Sequence, residues 1–199
     1  MLFRSKEALE RQTATSEVLQ VISNSVSDTA PVFERILDSC LKLFGAEERA
    51  IALLGEDGLV HIGAAAGAQI QISTATFPRP LDETITALAI RERRVVHYPD
   101  TAATTDAPQT VRDLTDRIGS YSALIAPMLW EGRGIGSILL MRQPVRAFDA
   151  DEIALLQTFA DQAVIAIQNA RLFNETKEAL ERQTATAEIL RIIDRKSVV

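Results

Sequence analysis

The ten-residue string KEALERQTAT stands at Lys6–Thr15 and again at Lys177–Thr186, an offset of 171 residues. The likeness continues as SEVLQVI after the first copy and AEILRII after the second, mostly with Val-for-Ile, Ser-for-Ala and Gln-for-Arg exchanges. Solenoid repeats recur every ~20–50 residues, so a period this long corresponds to one domain plus one connector. The chain therefore reads as a single globular unit between two copies of one linker, cut from a tandem array. The boundaries that follow are a linker over 1–28, a domain over 29–173, and a second linker over 174–199 that repeats 6–23.

Both copies are rich in Ala, Leu, Glu, Lys, Arg and Gln and contain no Gly or Pro, which predicts helices wet on most sides. Leu9, Gln12, Ser16 and Leu19 follow a 3-4-3 spacing, and Leu180, Gln183, Ala187 and Leu190 repeat it. Each copy thus carries one narrow seam, suited to a second helix rather than to a broad core. Gln12 and Gln183 inside the seam cost stability but specify register. The competing reading is a solvated helix with incidental leucines, although helices this polar are marginal alone. Parallel homodimerisation through the terminal helices is the expectation, because both connectors of a stacked domain must then pair with the same partner chain.

The repeated ends leave a core domain of about 145 residues, enough for one substantial core at 47% hydrophobic side chains. A net charge of -6 and a pI near 5.0 argue against nucleic acid as a partner. No apolar run reaches the ~18 residues of a membrane span, and MLFRSKEALERQ turns charged before a signal-peptide core can form. No membrane contact and a cytoplasmic location are expected. One cysteine, Cys40, allows neither an intramolecular disulfide nor a cysteine cluster for a metal.

In chain order, a helix is expected from about Lys6 to Val26, ending in SNSVSDT. Pro31 and Gly45 then frame PVFERILDSCLKLFGA, whose Val32, Ile36, Leu37, Cys40, Leu43 and Phe44 share a face, so Cys40 reads as core. From Ala50 the pattern changes to short apolar runs. AIALLG and LVHIGAAAG flank a turn at Glu56–Gly58, and SALIAPMLW and GIGSILLMR flank another at Glu131–Arg133. The second pair is apolar at odd and even positions alike, which predicts antiparallel strands covered on both faces. Between the hairpins, DETITALAIRERR predicts a helix capped by Asp82 with Ile85, Leu88 and Ala89 inward. VVHY predicts a short strand, PDTAATTDAPQT a loop and TVRDLTDRIG a helix. Polar connections punctuated by Pro over a rigid sheet are where binding surfaces usually lie. Asp149 with Glu152 forms a capping-box pattern, and Phe148 with Ile153 a hydrophobic staple, at the start of a helix of about 45 residues, about 70 Å long. Its first half buries Ile153, Leu156, Ala160, Ala163, Ile167 and Ala170, and its second half is the polar repeat. Ala170, Phe173, Thr176 and Leu180 join the two through an extra three-residue step, a stammer.

LKLFGAEERAIALL, SALIAPMLWEGRGIGSILL and above all FDADEIALLQTFADQAVIAIQNARLF resemble a GAF domain, the sensory module of bacterial signalling proteins. The resemblance covers roughly residues 30 to 173. It implies an α+β fold with a central six-stranded antiparallel sheet and helices on both faces, the terminal helices on one and a pocket under the middle helices on the other. No chemically assigned subtype of the family fits. Cyclic-nucleotide-binding members carry Phe-x3-Asp-Glu, whereas here Phe148 precedes Asp151-Glu152 by one residue too few. Bilin attachment calls for a pocket cysteine, and sulfoxide reductase chemistry for several. His61 and His97 are the only candidates for haem iron, with His97 preferred because Tyr98 and Asp100 follow it; a packing role is the alternative. No metal, bilin or haem signal and no nucleophile pattern stands out.

The resemblance implies a non-catalytic regulatory module that senses a small molecule, dimerises, and passes a signal through coiled-coil helices to an output domain such as a histidine kinase or a nucleotide or diguanylate cyclase. The alternative is a structural dimerisation spacer. The two are separated by whether the pocket is hollow or plugged by Phe77, Leu88 and Tyr98. Candidate ligand contacts are Phe77, Tyr98, Asp100, Thr101 and Ser122.

Overall fold

The computed structural model of the protein describes residues 29–196, with side chains through Ala185. The expected first helix, with Leu9, Gln12 and Leu19 of its seam, lies outside these residues. Helix α1 (Ala30–Phe44) has Pro31 in its first turn, where a missing N–H costs nothing. It stops at Gly45, whose left-handed φ of 59° lets its N–H reach the Leu41 carbonyl at 3.0 Å. Val32, Phe33, Ile36, Leu37, Cys40 and Phe44 are buried along one face.

Strands β1 (Glu48–Leu54) and β2 (Leu59–Ala66) follow as the expected hairpin, its turn held by the Asp57 carboxylate accepting the Leu59 N–H at 3.0 Å. The second hairpin, β5 (Ser122–Trp130) with β6 (Arg133–Arg142), closes through Glu131 and Gly132, both at positive φ (48° and 77°). That geometry matches the right-handed twist of the two strands. Between the hairpins run α2 (Ala68–Thr74), β3 (Arg79–Pro80), α3 (Ile85–Glu92), β4 (Val96–Tyr98) and α4 (Gln109–Ile118). All strand pairs are antiparallel, in the order β3-β2-β1-β6-β5-β4.

Two local expectations are corrected here. Asp82 does not cap a helix: it sits in a single 3-10 turn, Leu81–Glu83, and α3 starts at Ile85 after Thr84 turns extended (φ -119°, ψ 154°). The Thr84 hydroxyl donates to the Leu81 carbonyl at 2.8 Å, closing the turn instead of extending the helix. Helix α2 was not foreseen, and its first turn depends on a distant residue, since Glu48 Oε2 of β1 accepts the Ile70 N–H at 2.7 Å.

Strand alternation sends side chains to two cores. Ile51, Leu124, Ala126, Met128, Ile138 and Leu140 meet α1 and α5 (Ala150–Lys196) on one face. Ala50, Ala123, Ile125 and Met141 meet α2, α3 and α4 on the other. Helix α5 begins with the expected reciprocal cap: Glu152 N–H to Asp149 Oδ1 at 2.8 Å and Asp149 N–H to Glu152 Oε2 at 2.9 Å. It buries Leu156, Phe159, Ala160, Ala163, Val164, Ala166 and Ala170. From Arg171 to Ala185 every side chain is exposed, so one rod of 47 residues carries the repeat out of the domain.

Candidate functional site

On the face away from α5 lies a cavity of about 380 Å³. It is hollow because its floor is made of small side chains, Ala50 and Ala52 of β1, Ala123 of β5 and Ser137 of β6. Helices α2, α3 and α4 stand around that floor and bring Ile70, Ile85, Val111 and Leu114 to the walls. Ile62, Leu139 and Met141 complete an apolar lining, at a volume within the ~300–1,000 Å³ of small-molecule sites.

The polar groups of the lining are mostly hydroxyls, and most of them are already hydrogen-bonded within the protein. Thr86 of α3 and Ser137, 3% and 1% exposed, hydrogen-bond through their hydroxyls at 2.9 Å. Ser73, Thr74 and Thr84 donate to main-chain carbonyls of their own preceding turns. At the rim Arg79 pairs with Glu83 at 3.0 Å, and Asp113 accepts the Gln109 amide at 2.5 Å. The Arg117 side chain makes no hydrogen bond or ion pair among the described residues. Burial pushes the Tyr121 hydroxyl up to about 12, so the ring lines the cavity as a neutral phenol.

Of the candidate contacts, only Phe77 lines this cavity. The other four lie outside its lining and hold the ends of β4 and β5 together. Tyr98 is buried in the second core. Asp100 accepts the Ala102 N–H at 3.0 Å and the Ser120 hydroxyl, which, with the two main-chain N–H groups beside it, keeps its carboxyl below the usual range. Thr101 exchanges hydrogen bonds with the Tyr121 main chain, donating N–H at 3.0 Å and accepting at Oγ1 at 3.2 Å. Ser122, fully buried, donates to the Pro99 carbonyl at 2.6 Å and accepts the Arg146 N–H at 3.0 Å. Leu88 also packs in the second core and, like Tyr98, does not plug the cavity. Thr86, Ser137 and Arg117 went unread in the sequence; the one available signal was the run of small residues at alternate positions, Ala50 and Ala52.

A second polar cluster sits at the root of α5. The Arg142 guanidinium, 3% exposed, binds Glu152 at 2.8 Å and lies 3.9 Å above the Phe148 ring. Glu152 thus serves both the cap and a buried ion pair. His97 Nε2 accepts the Phe148 N–H at 3.2 Å, which requires a neutral imidazole protonated on Nδ1. Burial lowers its basicity and Arg142 adds to this, against Glu152. His61 pairs with Asp57 at 2.9 Å in the first hairpin. Cys40 is fully buried and its thiol is pushed well above the ordinary range by desolvation, as core packing requires. Among the described residues no three His, Cys, Asp or Glu side chains converge as metal ligands. No helix among them is long and apolar enough to cross a membrane.

The sequence profile of the GAF domain family matches residues 28–167. No curated protein sequence matches the chain. Among solved structures, free methionine-R-sulfoxide reductase from Neisseria meningitidis in complex with its substrate is similar over 84% of this chain and 93% of its own, at 17% identity and a TM-score of 0.67. The phycocyanobilin-bound GAF domain of a cyanobacterial phytochrome is similar over 81% and 96%, at 17% identity and a TM-score of 0.66. A domain of a putative two-component sensor histidine kinase protein from Sinorhizobium meliloti 1021 is similar over 74% and 95%, at 19% identity and a TM-score of 0.60. At these identities the likeness is one of fold.

Proposed function

The chain belongs to the GAF domain family, and from that premise we propose that it is a sensory module in which a small molecule occupies the cavity between the sheet and helices α2, α3 and α4. The observation that carries this reading is the hollow itself. A spacer would fill such a space with its own side chains, whereas here Phe77 stands in the wall, Leu88 and Tyr98 lie outside the lining, and the floor is Ala and Ser. Structures of similar fold hold a substrate in one case and a pigment in another. The module carries no catalysis in this reading, and the buried Cys40 with its raised thiol pKa speaks against thiol chemistry in particular.

The second part of the proposal is that two chains pair in parallel through their terminal helices, in the cytoplasm of a bacterium, and that α5 relays occupancy to an output domain such as a histidine kinase or cyclase. Support comes from α5, which leaves the domain with Leu172, Phe173 and Leu180 exposed (59%, 41% and 62%). The seam members Leu180 and Gln183 are both free of the domain, and the side chain of Leu190 lies outside the described residues. The similarity to a domain of a sensor histidine kinase protein points the same way.

Native mass spectrometry of the purified chain, followed by thermal-shift screening of metabolites, tests the first part. A co-purified molecule or a stabilising metabolite is expected. Finding neither would favour the spacer.

A further inference from the structure

The polar groups of the cavity that lack an internal partner are sparse enough to define the chemistry of an occupant, given that the cavity is a ligand site as proposed above. Its floor carries one such feature. Thr86 and Ser137 are each more than nine-tenths buried and bonded to one another at 2.9 Å. Two hydroxyls hold two protons, their mutual bond uses one, and no acceptor among the described residues takes the other. A hydrogen-bond donor, with lone pairs beside it, is therefore left on an otherwise apolar floor.

The rim carries the other feature. Four charged side chains line the cavity, Arg79, Arg117, Glu83 and Asp113, and their charges cancel. Arg79 and Glu83 neutralise each other, and Asp113 has the Gln109 amide, so Arg117 alone retains an unused fork of donors. One guanidinium matches one carboxylate. Of the remaining wall hydroxyls, those of Ser73, Thr74, Thr76, Thr84 and Tyr121 spend their protons on main-chain carbonyls, and Thr110 adds one hydroxyl with no partner among the described residues. A nucleotide would bring a phosphate, sugar hydroxyls and a base edge to a wall with few donors to meet them. Each buried polar atom left unmet costs about 1–3 kcal/mol.

We propose that the cavity takes a small organic acid with a single carboxylate, an apolar body and one further polar atom at the far end. The carboxylate sits on Arg117, the body covers Ala50, Ala52 and Met141, and the distal hydroxyl or carbonyl oxygen meets the Thr86–Ser137 pair.

Calorimetric titration of the whole chain with 3-(4-hydroxyphenyl)propionate, 3-phenylpropionate and the methyl ester of the first tests this, with 8-hydroxyoctanoate and octanoate as the aliphatic pair and cyclic GMP as the nucleotide. At least one hydroxy acid is expected to bind, roughly tenfold or more tightly than its ester or dehydroxylated counterpart. Arg117→Gln is expected to remove the advantage of acid over ester and leave the ester unchanged. Thr86→Val with Ser137→Ala is expected to remove the advantage of the hydroxyl, with circular dichroism confirming the fold. Ala52→Leu, which fills the floor, is expected to abolish binding of every probe. If cyclic GMP or the ester binds as tightly as the acids, or Arg117→Gln changes nothing, the organic-acid assignment falls, while loss of that binding in Ala52→Leu keeps the cavity as the site. If no probe binds and no metabolite stabilises the chain, the assignment and the ligand reading fall together.

Discussion

His97 shows how one side chain ties an edge strand to the start of the long helix α5. Its Nε2 accepts the Phe148 N–H, and its ring packs edge-on against Phe148 with centroids 5.8 Å apart. Protonation would remove the acceptor and place a second cation beside Arg142. Because its pKa in the fold lies below the ordinary histidine value, the unfolded chain binds the proton more readily as the pH falls. The stability this residue contributes is therefore present above about pH 6.5 and is lost as the pH drops below that value towards the folded pKa. Denaturant unfolding at pH 7.5 and pH 5.5 is expected to show this fall in the wild type and a flatter response in His97→Gln, whose amide oxygen can still accept. Cys40 offers a simpler expectation. Cys40→Ala should cost about 1 kcal/mol from a small lost volume and alter no binding, and a thiol reagent should label the native protein only as fast as it unfolds. Rapid labelling would contradict its burial.

At the scale of elements, the root of α5 is a cap and a buried ion pair sharing one carboxylate. Removing Asp149 takes away one side of the capping box, and Asp149→Ala should cost about 1 kcal/mol. Glu152→Ala should cost about 3–5 kcal/mol, because it also leaves the Arg142 guanidinium buried without its partner. Equal losses in the two variants, measured by denaturant unfolding, would show that the ion pair contributes nothing beyond the cap. The cavity-lining residue Met141 immediately precedes Arg142 on β6, so the same strand faces the cavity and anchors the helix that leaves the domain. Polar residues at the start of β5, beside Arg142, illustrate a different logic. Thr101, in a stretch whose composition reads as a binding loop, and Ser122, the first residue of β5, spend their hydroxyls on main-chain groups that β4 and its loop would otherwise leave unpaired.

For the molecule as a whole, the proposed dimer depends on the seam that α5 carries outward. Leu180→Asp combined with Leu190→Asp places charge in an apolar seam and should weaken pairing by several kcal/mol, read by light scattering as a shift from dimer to monomer mass. A dimer of unchanged mass would show that other surfaces hold it, and a monomeric wild type at tens of micromolar would remove the dimer altogether. What the chain determines alone is whatever depends on near neighbours and on period. Pro31 and Gly45 bound α1, Glu131-Gly132 closes a hairpin, Asp149 with Glu152 starts α5, and a helix-compatible run without Gly or Pro continues it. Strand alternation likewise sorts Leu124 from Ile125 before any fold is known. What only the tertiary structure decided is where space is left over and which polar groups remain unspent. Whether α2 forms depends on Glu48 from a strand 22 residues away, and the Thr86 hydroxyl meets Ser137 from 51 residues away. The cavity is the gap between Ala50, Ala52 and Ala123 and the helices that fail to reach them, a difference between distant surfaces that no local pattern contains.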